Sequence, residues 1–484
     1  MKKNNFEKKD FLLLAIVLMV AFLVRLYKLD VPLADLHSWR QADTAAVSRN
    51  FVRSGFDLLH PRYDDLSNIQ SGKENPQGYR MAEFPIYNAI FAYIYKIFPI
   101  FSLEVYGRLT TIFFSLIIIA VIYYFGLKES QRTTAVFASL TYAILPFFVF
   151  FSRVILPETT ALSFVFLSIF FLYLFSQTKL NWAATVFYIL AFVCFAISLL
   201  IKPVTIFYGL PLGFLFFRKY SFSTFKKFSF YLFFLLSFLP LILWRQYIKQ
   251  FPEGIPEYNW LITDVNTYQG RLSIFFKPAF FRWVFFERIN NYILGGYLSF
   301  FFILGVLAKT KKYFLHLLLI SALTYLFIFQ GGNVQHEYYQ IIIFPPLALF
   351  IGLGITHLVN NGKSFFHPIL LYPVITLIIV LSLFFSFYTV RYYYNFPQDL
   401  VQIAKIVNAL TKEGDKIVTD RMGDTTLLYL MDRRGAPAMY KEPEEFKKAG
   451  YQYIVTLNQD VIKRLKEKQY STVFENNNFA LFKL

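Results

Sequence analysis

Cysteine and charged side chains are both scarce in this chain of 484 residues. The single cysteine, Cys194, excludes a disulfide within the chain and a metal site built from cysteines. Only 16% of the residues are charged. The single cysteine therefore excludes the small disulfide-stapled folds.

Apolar and aromatic residues are abundant instead. Hydrophobic residues make up 56% of the chain and aromatic residues 21%, with 61 Phe and 34 Tyr. The mean hydropathy of +0.47 is a value that soluble globular proteins rarely reach. Because a membrane-spanning helix needs roughly 20 apolar residues, the composition predicts a protein that crosses a lipid bilayer many times.

The formal net charge of +18 has an explanation in membrane topology. Lys and Arg concentrate in short loops between apolar stretches, where they set orientation and contact anionic headgroups. No basic module interleaved with aromatic residues is visible, so we expect no nucleic-acid partner. The apolar run from Phe11 to Leu26 follows a basic N-terminus but precedes no small-residue cleavage site, so we interpret it as the first transmembrane helix.

The apolar runs predict about eleven transmembrane helices. A further run, 84–101, is apolar but interrupted by Asn88, Lys96 and Pro99. The predicted spans lie near residues 11–28, 105–126, 134–151, 157–176, 182–201, 203–217, 228–247, 293–308, 313–330, 338–357 and 368–390.

The basic loops decide how the run 84–101 is interpreted. The lysines among the first nine residues place the N-terminus in the cytoplasm. If 84–101 does not span, the basic loops at Lys128 to Arg132, Arg218 to Lys227 and Lys309 to Lys312 also fall inside. If it spans, they all face outward, against the positive-inside rule. We therefore predict an interfacial helix at 84–101 and a C-terminus outside the cytoplasm.

This topology predicts two domains. Residues 1–390 form a polytopic α-helical membrane domain, whose first extracytoplasmic loop, 30–104, carries interfacial helices; a second outer segment runs from Lys249 to Asn291. Residues 391–484 form a small extracytoplasmic α/β domain. Its helix has apolar residues at helical spacing from Leu400 to Leu410, and Lys416 to Thr419 and Tyr453 to Leu457 resemble short buried strands.

The densest group of polar residues follows the first span, from Asp35 to Thr44. From Asp43 onward the pattern is helical, so this carboxylate can start a helix lying on the membrane. Either Asp43 is a functional acid, or it caps the helix and pairs with Arg40 or Arg49. The sequence leaves both interpretations open.

A second polar group, Arg80 to Asn88, belongs to the same loop. Glu83 precedes Pro85, which suits the first turn of a helix. Glu83 is either functional or a carboxylate favoured by the helix dipole. Because both groups lie in one outer loop, Asp43 and Glu83 can converge.

Other polar residues recur on short outer loops. Arg153 and Glu158 flank Pro157, Lys202 precedes Pro203, and His336 begins the segment His-Glu-Tyr-Tyr. Taken alone, a lysine or arginine in such a loop is typical of a snorkelling anchor at the membrane surface. A lone His-Glu pair is typical of an interfacial loop. Together they indicate a phosphate site at the depth of the lipid headgroups.

These motifs resemble the GT-C glycosyltransferases of the family 39-like group, which includes the protein O-mannosyltransferases and the aminoarabinose transferase of lipid A. The likeness to a bacterial branch rests on His37–Thr44 with Arg49-Asn50-Phe51, Ala82–Asn88, Arg153–Glu158 and His336-x-Tyr338-Tyr339, and it covers roughly the first 390 residues. Many members carry an adjacent Asp-Glu pair that aligns with Arg40-Gln41 here. The acidic role then moves to Asp43, with Asp35 as the alternative.

The resemblance implies an enzyme of the bacterial inner membrane. It implies transfer of a sugar from a polyprenyl phosphate to a glycan, lipid or protein acceptor, with inversion at the anomeric carbon. No nucleotide-binding glycine-rich loop is visible in the sequence, which suits a lipid-linked donor rather than a nucleotide sugar. Asp43 is the candidate base and Glu83 orients the acceptor or a metal. A divalent metal at Asp43, Glu83 and His336 stays open, because no ligand spacing argues for it. The predicted donor-phosphate and substrate-binding residues are His37, Arg40, Gln41, Arg153, Glu158, Lys202, His336, Tyr338 and Tyr339.

Two other functions fit the same composition. A transporter or flippase of lipid-linked sugars needs ionisable residues and broken helices at the bilayer midplane. A polymerase or ligase of lipid-linked glycans is still an enzyme on such substrates. The gathering of polar groups on long outer loops favours the transferase over the transporter.

Overall fold

The computed structural model describes residues 6–179, 181–257, 274, 276–309, 312–362 and 367–484. The predicted outer segment Lys249 to Asn291 and the basic loop Lys309 to Lys312 therefore lie partly outside the described residues. The helices are α1 Lys8–Arg25, α2 Ser38–Ser54, α3 Ile86–Ile97, α4 Leu103–Glu129, α5 Arg132–Ile144, α6 Pro146–Phe151, α7 Glu158–Gln177, α8 Trp182–Ile201, α9 Gly209–Tyr220, α10 Phe228–Tyr247, α11 Pro278–Phe281, α12 Leu298–Leu307, α13 Phe314–Ile328, α14 Gln330–Gln335, α15 Phe344–Asn361, α16 Pro368–Val390, α17 Gln398–Leu410, α18 Thr426–Met431, α19 Pro443–Lys448 and α20 Gln459–Glu467.

The chain divides into two compact units. The helical unit contains Met1–Leu29, Arg108–Trp244 and Tyr258–Tyr392, and the sheet unit contains Asp30–Gly107, Arg245–Glu257 and Tyr393–Leu484. The loop 30–104, which we expected to belong to the membrane domain, thus forms one unit with the C-terminal tail.

Long apolar helices make this a polytopic membrane protein. Among the described residues, six stretches are long and apolar enough to cross a bilayer, or seven if one bent pair of helices counts as a span. This count is lower than the predicted eleven, partly because some apolar runs are broken. Pro146 divides the run 134–151 into α5 and α6, since a proline removes a helical hydrogen bond. The six stretches are Leu103–Glu129, Glu158–Gln177, Trp182–Ile201, Phe228–Gln250, Glu337–Asn361 and Ile369–Leu410.

Two glycines let α15 approach its neighbours closely in the helical unit. A Cβ on Gly354 would lie 1.8 Å from the carbonyl oxygen of Phe301 in α12. A Cβ on Gly352 would lie 2.7 Å from the backbone nitrogen of Ala138 in α5. The hydrophobic effect does not drive association between helices in lipid. Small residues at such crossings let the backbones approach closely, so that van der Waals packing stabilises the helix pair.

A buried arginine fixes the end of α1. Arg25 is 0% exposed, and its guanidinium donates to the carbonyl oxygens of Ala143 (2.7 Å) and Tyr142 (3.0 Å) at the end of α5. It also donates to Ser152 Oγ (2.7 Å). These bonds satisfy carbonyls that a helix end leaves open.

The sheet unit contains a mixed five-stranded sheet in the order β2-β1-β3-β5-β4. β1 pairs in parallel with β2 and β3, whereas β5 pairs antiparallel with β3 and β4. The predicted α/β tail is confirmed, including the helix α17 and two of the strands. The strands are β1 Ile417–Thr419, β2 Gly435–Ala436, β3 Tyr453–Thr456, β4 Ser471–Glu475 and β5 Ala480–Lys483.

Alternating side chains of the strands supply two cores, one on each face of the sheet. Ile417 and Val455 pack with α17 and α18 on one face. Val418 and Ile454 pack with α19 and α20 on the other face. Each face is covered by helices, which suits a sheet with parallel central strands.

The loop 30–104 extends this sheet. Gly435 N in β2 donates to Asp64 O (2.8 Å), and Leu66 N donates to Gly435 O (2.7 Å). These bonds cover the edge strand β2, which would otherwise expose unpaired backbone groups. They give the physical reason why the loop belongs to the same unit as the tail.

The helix α3 within 84–101 is short. Its 12 residues span about 18 Å at 1.5 Å per residue, well below the roughly 30 Å of a bilayer core. One face buries Tyr87 and Phe91, whereas Tyr93 and Ile97 are exposed. The length agrees with our interpretation that this run does not span.

Candidate active site

The helix α2 places the first polar group. It begins at Ser38, five residues before the start that we predicted, so the expectation that Asp43 starts or caps the helix was wrong. The residue before the helix, His37, has the left-handed φ of 57°, and this turn brings the chain into the helix at Ser38. Asp43 consequently lies in the second turn, where its carboxylate is available for contacts outside the helix.

Asp43 is held by the tail of the same unit. Thr425 Oγ1 donates a hydrogen bond to Asp43 Oδ1 (2.7 Å), and Arg80 Nη2 lies 3.3 Å from Oδ2. The Asp43 side chain is 1% exposed. Within the described residues, Oδ2 accepts no hydrogen bond. The carboxylate thus has one fixed oxygen and one oxygen with capacity for a further donor.

Burial controls the proton affinity of this carboxylate. Loss of solvent raises the pKa of Asp43, and the nearby Arg80 charge and the Thr425 hydrogen bond oppose that rise. The pKa nevertheless stays above its ordinary value. A carboxylate with a raised pKa is a stronger base than an exposed one, which suits proton abstraction near neutral pH.

Glu83 joins the same group through arginines. Arg40 Nη2 donates to Glu83 Oε1 in an ion pair, and the Arg40 charge also acts on Asp43. Burial lowers the pKa of Arg80, but the neighbouring Asp43 and other acidic groups, including Glu83, raise it above its ordinary value. The structure therefore brings Asp43 and Glu83 into one cluster of two acids and two arginines.

Asp35 and Gln41 contact each other beside this cluster. Gln41 Nε2 donates to Asp35 Oδ1 (2.7 Å) and to Leu36 O (3.0 Å). Both side chains are buried. This arrangement fixes the turn before α2, and the alternative role of Asp35 as the base stays a prediction.

The pairing of Asp43 also differs from one expectation. Arg49, which we considered as its partner, instead binds Asp64 (2.5 Å) and Asp432 (2.8 Å). Arg49 and Asp43 lie six positions apart on α2, so they point to different sides of the helix.

In the helical unit, five of the predicted residues come together. Lys202 Nζ lies 2.7 Å from Glu158 Oε1, and both residues are buried. Lys202 Nζ also lies 5.8 Å from the ring centre of Tyr339. The Tyr339 ring is 4.3 Å from that of Tyr338, which stacks on His336 at 5.3 Å. A buried ion pair beside aromatic rings in a membrane protein is a candidate for function.

Arg153 has contacts of a different kind. It is 0% exposed, and its Nη1 donates to Lys28 O (2.9 Å). Its guanidinium also lies 5.7 Å from the Phe150 ring. These contacts tie the loop before α7 to the segment that follows α1.

Known structures share this architecture. ArnT from Cupriavidus metallidurans bound to undecaprenyl phosphate aligns over 97% of both chains at 15% identity, with a TM-score of 0.68. The archaeal oligosaccharyltransferase AglB from Archaeoglobus fulgidus, in complex with an inhibitory peptide and a dolichol-phosphate, aligns over 98% of this chain and 74% of its own at 11% identity and a TM-score of 0.57. The arabinofuranosyltransferase AftD from Mycobacteria aligns over 97% of this chain and 41% of its own at 12% identity and a TM-score of 0.57.

A family model agrees with these structures. The model described as dolichyl-phosphate-mannose-protein mannosyltransferase matches residues 82–244. The chain has the GT-C glycosyltransferase fold. The resemblance that we inferred from the motifs is therefore confirmed at the level of the fold. No curated protein sequence matches the chain.

The sequence did not reveal several of the residues that surround the Asp43 carboxylate. Thr425 is 382 positions from Asp43, and nothing in the sequence connects the two. Arg80 belonged to the second polar group, but we did not assign it to the site. Asp65 is buried, its pKa is raised to about 7 by burial, and the Asp43 charge adds to the rise. The acidic doublet Asp64-Asp65 was a signal that we did not use.

The suggested metal site is made of residues from both units. Among the described residues, no three His, Cys, Asp or Glu side chains gather as a metal-binding group. The set Asp43, Glu83 and His336 combines residues of both units, so it stays a prediction. In the sheet unit, Arg40 pairs with Glu83, and Arg80 Nη2 lies 3.3 Å from Asp43 Oδ2.

Proposed function

We propose that this protein is a membrane glycosyltransferase that transfers a sugar from a polyprenyl phosphate to an extracytoplasmic acceptor with inversion. The observation that carries the proposal is the buried Asp43 carboxylate, with a raised pKa and one oxygen that accepts no hydrogen bond from the described residues. Support for the donor comes from ArnT bound to undecaprenyl phosphate and AglB in complex with a dolichol-phosphate.

Asp43 is the general base in this proposal. As the acceptor hydroxyl attacks the anomeric carbon, its proton passes to Asp43 Oδ2 and a new carbon–oxygen bond forms. The bond between the anomeric carbon and the phosphate oxygen breaks, and its electron pair leaves with the polyprenyl phosphate. The attack occurs on the face opposite the leaving group, so the configuration inverts. Thr425 and Arg80 hold the carboxylate in position, and Glu83 orients the acceptor through Arg40.

Lys202 is our candidate for binding the donor phosphate. The leaving phosphate gains negative charge in the transition state, and a preorganised cation lowers the free energy of that state. Glu158 fixes the Lys202 ammonium at 2.7 Å, and the rings of Tyr338 and Tyr339 lie beside it. Arg153 and His336 are further donor-site candidates, and His37, Arg40 and Gln41 complete the proposed substrate-binding residues.

The proposed location is the bacterial inner membrane. The distribution of lysines and arginines supports a cytoplasmic N-terminus and an extracytoplasmic tail. In this topology the bilayer stores the lipid-linked donor. The acceptor, whether glycan, lipid or protein, arrives from the outer side.

Transfer in detergent tests the proposed activity. Purified protein is mixed with a radiolabelled polyprenyl-phosphate sugar and an extract of cell-envelope acceptors, and the label is followed from the lipid to the acceptor. We expect transfer without any sealed vesicle, and the product should have the inverted anomeric configuration by NMR. Movement of label across vesicle membranes, with no transfer in detergent, would instead support a transporter.

A further inference from the structure

A polar cavity lies in the sheet unit, and Asp43 is not among its lining residues. Its volume is about 410 Å³, which is within the range of pockets that hold small molecules. It lies between α2, the segment that joins α3 to α4, and the C-terminal end of α18. Its lining includes Arg49, Arg53, Tyr95, Glu104, Tyr429 and Asp432.

One arginine of the cavity is fixed by several contacts. Arg49 lies 2.5 Å from Asp64 and 2.8 Å from Asp432, and its guanidinium stacks at 4.3 Å on the Tyr429 ring. Its Nε is buried and donates no hydrogen bond within the described part of the chain. A fixed guanidinium with remaining donor capacity is suited to a ligand that offers oxygen acceptors.

The carboxylates of the cavity, Asp432 and Glu104, are also held in position by neighbouring side chains. Asp432 ends α18 with a left-handed φ of 59°, a conformation that aspartate tolerates better than most residues. In this position its carboxylate also pairs with Arg53. Glu104 Oε1 accepts a hydrogen bond from Tyr429 Oη (2.6 Å).

The charges of the lining balance. Two arginines face two carboxylates, so neither an anion nor a cation gains a net electrostatic advantage. What remains is a set of fixed donors and acceptors beside the rings of Tyr95 and Tyr429. Such a lining suits a neutral ligand with many hydroxyl groups and apolar C–H faces, which describes a sugar.

An apolar rim adjoins the cavity. The chain between the lining residues Tyr95 and Ser102 exposes four large apolar residues. Their exposed fractions are 49% for Ile97, 58% for Phe98, 75% for Ile100 and 55% for Phe101. A lipid tail attached to a bound sugar would therefore have an apolar surface to contact.

We propose that this cavity is a binding site for a neutral sugar of the acceptor, separate from the Asp43 cluster. The assignment of the bound sugar to the acceptor rests on the proposed function, whereas the binding itself does not. Arg49 and Asp432 supply hydrogen bonds in fixed directions, and Tyr95 supplies an aromatic face.

Binding of defined sugars tests this proposal. The protein is reconstituted into lipid nanodiscs, which excludes alkyl-glycoside detergents, and saturation-transfer NMR measures binding of glucose, mannose, galactose, N-acetylglucosamine, maltose and glucose 6-phosphate. We expect at least one neutral sugar to bind, and Tyr95→Ala and Arg53→Gln each to weaken it by about tenfold, the effect of one good contact. Tyr93→Ala on the same helix and the exposed Arg464→Gln are the matched controls, and neither should change the affinity.

Further measurements distinguish a lipid-linked acceptor from a free glycan, and they test the sugar site independently of the proposed transferase activity. Tighter binding of octyl glucoside or dodecyl maltoside than of the free sugars would identify a lipid-linked acceptor, and equal binding a free glycan. Asp43→Asn should retain sugar binding even though it loses transfer, so a failure of the proposed enzyme does not hide the site. Binding of glucose 6-phosphate alone, equal weakening by the control variants, or no binding by any neutral sugar of the panel would each overturn the proposal.

Discussion

Replacing Thr425 by valine tests how the tail acts on the candidate base. Valine has nearly the same shape as threonine, so Thr425→Val removes chiefly the 2.7 Å hydrogen bond to Asp43 Oδ1. A hydrogen bond to a charged group is worth about 1.5–3 kcal/mol, and one pKa unit corresponds to about 1.4 kcal/mol. The variant should therefore raise the pKa of Asp43 by about one to two units, because its ionised form loses a donor.

The acid limb of the pH–rate profile reports this change. Asp43 must be ionised to accept a proton, so transfer should fall as pH decreases through its pKa. In Thr425→Val the fall of the transfer rate should begin about one to two pH units higher. Thr425→Ser keeps the hydroxyl and should restore the wild-type pH dependence on the acid side. Thr472→Val, at an exposed position of β4, is the control for the loss of a hydroxyl. An unchanged limb in Thr425→Val would refute the coupling between the tail and the base.

Two further predictions concern stability. Burial raises the pKa of Asp65 from 3.8 to about 7, so the stability linked to its protonated form is complete below pH 3.8 and is lost as pH rises through 7. Asp65→Asn should therefore raise the melting temperature over that of the wild type at pH 8 but not at pH 4; equal changes at both pH values would contradict this. A Cβ on Gly354 would meet the Phe301 carbonyl at 1.8 Å, so Gly354→Ala should cost about 1–3 kcal/mol. The control Gly213→Ala, with open space around it, should cost none, and equal melting temperatures of the two variants would contradict the close approach.

The sequence was informative where one physical signal dominates. Long apolar runs predicted the membrane-spanning helices, and short buried apolar runs predicted β1 and β3. The positive-inside rule predicted that the run 84–101 does not span, and the 12 residues of α3 are compatible with that prediction. The number of spans was less predictable, because a break such as Leu145-Pro146 lies inside an otherwise continuous apolar run.

The candidate site was harder to predict, because its parts are distant in sequence. Asp43 and Glu83 were recognisable as acids beside helices in one loop. Their arginine partners were not, since Arg80 was equally compatible with a surface position. Thr425 comes from the tail, and its approach to Asp43 depends on the tertiary fold of the sheet unit, which no local pattern records.

In the proposed mechanism, Asp43 accepts the acceptor's proton during sugar transfer. The most direct test is the transfer rate of Asp43→Asn from a radiolabelled polyprenyl-phosphate sugar, with the exposed Asp399→Asn as its matched control. Loss of a general base should reduce the rate by about 10²–10⁴-fold while donor binding is retained, and the control should keep the wild-type rate. A wild-type rate in Asp43→Asn would contradict the account.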